Sequence, residues 1–165
     1  MCGLLCEVVG IEAFVHILES SDIDPVYVCS ELVACPKNHC DHPGCTSIVS
    51  VKVSPPSGPL GTVFNVTVLL RANNQTGTGT TLLEWKCPTA GMTGAPILNE
   101  GFRAGTLNSV SYGIDTRKDA CLYSPLTYAL TVASCAYDCT DLHGTVYAAT
   151  QSQFTITAGN TNEQR

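Results

Sequence analysis

Residues Cys6 to Cys35, CEVVGIEAFVHILESSDIDPVYVCSELVAC, decide how the front of this chain is read. Leu4, Val8, Ile11, Val15 and Leu18 recur at three- and four-residue spacing, and Leu5, Phe14 and Ile17 widen the stripe. Glu12, His16 and Glu19 fall opposite. The pattern predicts an amphipathic helix from about Leu4 to Ser20. SSDID then breaks it. Asp24 is a good N-cap, and Pro25 suits the first helical position, where its missing N–H costs nothing. A second helix would turn Val26, Val28, Leu32 and Val33 inward and stop before Pro36. At a helical rise of about 1.5 Å per residue, the Cα atoms of Cys29 and Cys35 would stand about 9 Å apart, beyond disulfide reach. On this reading the two do not bond to each other and need partners elsewhere.

The pattern resembles the C-terminal half of a saposin B-type domain. Cys6 matches the cysteine that opens the third helix of that family, and Cys29-Ser-Glu-Leu-Val-Ala-Cys35 matches its last cysteine pair. The resemblance covers about the first fifth of the chain. In the family that last pair bonds to two cysteines at the start of the first helix, which have no counterpart here. The resemblance implies a leaf of helices whose apolar face opens onto lipid, with Val8, Ile11, Phe14, Val15, Leu18 and Leu32 lining it. A two-helix hairpin cannot bury a stripe this wide alone. It must meet further helices, a lipid or membrane surface, a protein partner or second copy, or the rest of this chain; ordinary core packing is the plain alternative. The arrangement also resembles countin-like secreted proteins of amoebae, which begin with a saposin-type domain.

The 165 residues suffice for one full domain and a small one. A hydrophobic fraction of 44% suits a folded chain. Charged residues are only 13%, the net charge is −6, and no Lys/Arg cluster occurs, which argues against nucleic acid and against electrostatic docking to acidic membranes. Ten cysteines, with sequons at Asn65 and Asn74, point to an oxidising compartment: the extracellular space or the endolysosomal lumen. The alternative is a cytosolic protein with reduced thiols. The first residues do not read as a signal peptide, because there is no basic n-region and Glu7 and Glu12 interrupt the apolar run. A chain that starts inside a motif reads as a fragment.

Pro36 to Cys45, PKNHCDHPGC, reads as a linker (37–46) rich in turn formers. Cys40, His42 and Cys45, with His39 and Cys35, carry zinc-type ligands, but their spacing matches no common zinc pattern; a Cys40–Cys45 loop is the alternative. From Thr46 the period changes to two. Ile48–Val53 forms a strand. Phe64, Val66, Val68 and Leu70 share one face of the next, with Asn65 outside. Leu82–Cys87 places Leu83, Trp85 and Cys87 on one side, and Leu126–Cys135 does so for Tyr128, Leu130 and Val132. The 88–108 segment is rich in glycine and proline and weakly patterned, with at most a short strand near Phe102. Val110–Ile114, Val146–Ala149 and Gln153–Thr157 supply the remaining strands.

About seven short strands predict an antiparallel β-sandwich over 47–158, resembling immunoglobulin-like or fibronectin-like modules. The expected architecture is therefore α+β in separate units: a half-saposin helical hairpin (1–36), the linker, the sandwich and a polar tail (159–165). Of three ways to pair four cysteines, Cys87 with Cys121 and Cys135 with Cys139 are favoured. Asp138 and Asp141 lie near Cys139 in a loop and are a candidate calcium pair, but such a site needs about six oxygens or more, and loop solubility is the favoured alternative. His16, His39, His42 and His143 stand in no recognisable catalytic motif, and no phosphate loop occurs. The expectation is a secreted, non-enzymatic protein without cofactor. It would act through a lipid-interacting helical module, or through the loops 73–80 and 88–108 of an adhesion module with the helices as a disulfide-linked stalk.

Overall fold

The computed structural model describes residues 25–31, 33–87, 91–118, 122, 124–140 and 143–158. Eight strands are found among them: β1 (Thr46–Ser54), β2 (Ser57–Pro59), β3 (Val63–Ala72), β4 (Gly79–Cys87), β5 (Gly91–Asn99), β6 (Leu107–Asp115), β7 (Leu126–Ala136) and β8 (Val146–Thr157). They form a three-stranded sheet in the order β1-β3-β6 and a five-stranded sheet in the order β2-β8-β7-β4-β5. All neighbours run antiparallel except β2 and β8. The chain leaves the first sheet after β1, passes a cis Ser54–Pro55 bond and joins the second as β2.

The period-two pattern explains the core. Phe64, Val66, Val68 and Leu70 of β3 are fully buried, and so are Leu130 and Val132 of β7 and Phe154 of β8. Leu83, Trp85 and Cys87 of β4 join the same cluster, as the alternation predicts. Phe64 and Phe154 meet across the sheets with ring centroids 4.8 Å apart, and Tyr128 stacks on Phe154 at 5.4 Å.

The expected α+β architecture is overturned. Among the described residues the helical structure is one seven-residue helix, α1 (Pro25–Glu31), beside eight strands. The expected helix from about Leu4 to Ser20 lies outside the described residues, and with it Cys6, Val8, Ile11, Phe14, Val15 and Leu18; Leu32 does too. Helix α1 starts at Pro25 as expected but stops four residues before Cys35. Val33 takes a left-handed φ of 57° and is 76% exposed, so it does not turn inward.

Two further differences concern strands. The glycine- and proline-rich 88–108 segment contains β5, a nine-residue strand. It lies at a sheet edge, where a proline without N–H and glycines without side chains are tolerated. The two expected last strands are one, β8, unbroken over twelve residues.

Candidate functional site

Three disulfides and a group of stacked aromatic side chains gather at one end of the sandwich. Cys29 and Cys35 form a disulfide with their Cα atoms 5.3 Å apart. This corrects the expectation that they bond elsewhere. That expectation carried the helical rise through all six residues, whereas α1 ends at Glu31 and the chain turns back, with Ala34 and Cys35 both donating to the Cys29 carbonyl at 3.0 and 3.1 Å. The pairing implied by the saposin resemblance is not the one formed.

Cys40 and Cys45 form a second disulfide and are buried. The ligand atoms of Cys40, His42 and Cys45 lie within 4.8 Å of one another, but both sulfurs are spent in the bridge and offer no thiolate to a metal. The nearest His42 ring nitrogen is 3.5 Å from Cys40 Sγ. Cys135 and Cys139 close a third bridge around a turn in which Tyr137 has a φ of 53°. Cys87 is disulfide-bonded, and its expected partner Cys121 lies outside the described residues.

Residues 36–40 are packed against the sandwich, not strung as a linker. Asn38 Nδ2 donates to the Thr78 carbonyl at 2.9 Å, and its Oδ1 accepts from the Gly77 N–H at 2.7 Å. Thr78 N donates to the Pro36 carbonyl at 3.0 Å. The Tyr147 hydroxyl shares its proton between Asn38 Oδ1 and the Cys40 carbonyl, at 2.9 and 2.8 Å. Burial pushes the Tyr147 phenol well above its ordinary value, and the neighbouring Tyr137 and Asp41 add to that. Helix α1 is pinned to the same end: the Tyr27 ring stacks on the His143 imidazole, 4.0 Å away and 11° from parallel, and meets Tyr137 edge-on at 5.3 Å.

The loop from Asn73 to Thr78 is held from both sides. Thr76 N donates to the Phe102 carbonyl at 3.0 Å, and Phe102 N donates to Thr76 Oγ1 at 2.9 Å. Asn73, Asn74 and Gln75 remain exposed, as does Asn65 on the outer face of β3. Asp138 Oδ1 accepts from the backbone N–H and hydroxyl of Thr140, and Asp141 lies outside the described residues. Sequence reasoning missed Tyr27, Asn38 and Tyr147. An asparagine in a polar stretch and tyrosines in a helix or a strand carry no signal until the chain brings them together.

The chain matches the Countin C-terminal domain over residues 46–161 and the Countin N-terminal domain over residues 1–33. It is 29% identical to Countin-2 of Dictyostelium discoideum over 162 residues, covering 96% of this chain and 62% of that protein. It is 31% identical to a Countin-like protein of the same organism over 159 residues, covering 94% of this chain and 43% of the relative. The chain thus spans less than two thirds of the length of either. Among solved structures, the C-terminal domain of wzt shares the fold with a TM-score of 0.55 at 10% identity, over 85% of this chain and 88% of that one. The alkylpurine DNA glycosylase AlkC of Pseudomonas fluorescens does so with a TM-score of 0.50 at 13% identity, over 82% of this chain and 34% of that one. At such identities the likeness is one of fold alone. The match over residues 46–161 covers well over half of the sequence, and the chain belongs to the countin family.

Proposed function

We propose that this chain is a secreted, non-enzymatic recognition protein whose sandwich is immunoglobulin-like and presents the loops 73–78 and 100–106 as its contact surface. The strand order supports the immunoglobulin-like reading, with the first strand divided between the sheets as β1 and β2. The observation that carries recognition is the clamped loop. Asn38 and Phe102 hold the backbone of residues 76–78 while Asn73, Asn74 and Gln75 face solvent. A loop ordered beforehand loses little entropy when a partner docks. Three short disulfides at the same end suit an oxidising compartment.

The test is binding of labelled protein to intact cells. Self-competition by excess unlabelled protein is expected, with loss of competition when Asn73 and Gln75 are both changed to Lys. Native protein isolated with free thiols at Cys40 and Cys45, or competition indifferent to the loop changes, refutes the proposal.

A second reading, the saposin-like lipid module, is favoured by one feature. Val26, Cys29, Cys35, Thr78 and Leu98 line an almost wholly apolar slot of about 220 Å³ beside α1. Liposome flotation that Phe14→Asp abolishes supports it; flotation unchanged after removal of residues 1–36 sinks it.

A further inference from the structure

Among the described residues the two sheets do not close along one flank. There β6, the free edge of the smaller sheet, faces β5, the free edge of the larger, across a cleft of about 450 Å³. The register shows what lines it. Tyr112 pairs with the fully buried Val66, so it belongs to the inner face of its sheet, yet it is 38% exposed. Opposite, Thr93 pairs with Trp85, whose ring is almost fully buried and closes the floor. An aromatic ring set for the core is left open to water.

One end of the cleft is charged. Arg117 Nε and Nη2 donate to Asp115 Oδ1 and Oδ2, both at 3.0 Å, and Lys118 Nζ stands 3.9 Å from Oδ2. The Arg117 backbone N–H also donates to Oδ1, at 3.1 Å. An ionised carboxylate offers about four acceptor positions, so one remains while the fork fixes the group's direction. Lys118 is highly exposed beside the opening.

We propose that this cleft binds a neutral pyranose sugar. The Tyr112 ring takes the apolar C–H side of the sugar; Asp115 accepts from one hydroxyl, and Lys118 and Thr93 donate to others. A purely apolar molecule would strip water from Asp115 and Lys118 without replacing their hydrogen bonds. An extended peptide adding to β5 would meet Pro96, which lacks an N–H and interrupts the edge. The proposal is independent of the loop surface at the end of the sandwich.

Trp85 is the sole tryptophan of the chain and forms the floor of this cleft, so its emission can follow binding there, with the Tyr112 and Lys118 variants assigning the change to the cleft. The experiment titrates the full chain with cellohexaose, chitohexaose and maltohexaose, and separately with the hexapeptide TVTVTV. At least one sugar is expected to give a saturable change with a Kd between about 10 μM and 1 mM. Tyr112→Ala and Lys118→Ala should each weaken it, the former by about tenfold, which is about 1.4 kcal/mol. Lys52→Ala on β1 should not. Lys118 is too exposed for its removal to disturb folding. Absence of a saturable change with all three sugars, a change indifferent to both cleft variants, or a response to the peptide alone overturns the proposal.

Discussion

Asn38 Oδ1 and the Tyr147 hydroxyl are 2.9 Å apart, although 109 positions separate them in sequence. Their bond joins the segment before β1 to β8, and through Gly77 to the loop before β4. Asn38→Ala should cost about 1–3 kcal/mol, because the Gly77 N–H loses its partner. Tyr147→Phe should cost about 1 kcal/mol. Urea midpoints of the two variants and the double variant check this, and the double should cost less than the sum. The pH dependence has a definite sign. The phenol is raised in the folded state, so its contribution is complete below the unfolded tyrosine value of about 10 and is lost as pH rises beyond it. Tyr147→Phe should flatten the alkaline fall in stability.

The Tyr27–His143 stack predicts how the helix is held. An aromatic pair of this kind contributes about 0.5–1.5 kcal/mol beyond its buried area. His143→Ala should speed hydrogen exchange of the amides in residues 26–31 and leave those of β3 and β7 unchanged. Equal change in both regions would show that the helix and the sandwich open together.

The Cys29–Cys35 bridge is directly testable by peptide mapping of the unreduced protein, where a linked peptide from this short segment is expected. Replacing both cysteines with serine should cost about 2 kcal/mol or less, since a loop so short removes little chain entropy. Linkage of either cysteine to another part of the chain would contradict the structure described here.

Asp115 predicts an acid limb. The Arg117 fork holds its carboxyl at about 2, below the ordinary 3.8. A depressed carboxylate stabilises the fold above its unfolded value, and that contribution is lost as pH falls from about 4 to 2. Asp115→Asn should therefore lower the melting temperature at pH 7 and leave it nearly unchanged at pH 2. A difference that persists at pH 2 would assign the effect to packing instead of charge.

Much of the sandwich was legible in residue order. Alternation along Phe64–Leu70, Leu83–Cys87 and Tyr128–Val132 marked the buried faces correctly, because a strand turns successive side chains to opposite sides whatever its neighbours are. The bridges Cys40–Cys45 and Cys135–Cys139 were legible for a related reason: short loops bring their ends together locally. Strand β5 was not, since an edge position forgives the glycines and proline that argue against a strand.

The sequence by itself determined the periodicities, the richness in cysteine and the lack of any Lys/Arg cluster along the chain. Those depend on composition and on neighbours a few residues apart. Only the tertiary structure decided that Val33 turns the chain back to join Cys29 with Cys35, that Asn38 clasps Gly77 and Tyr147, and that Tyr112 lies open at a flank. Each depends on where a helix stops, or on how two sheets set their edges, and both are fixed by packing between residues far apart along the chain.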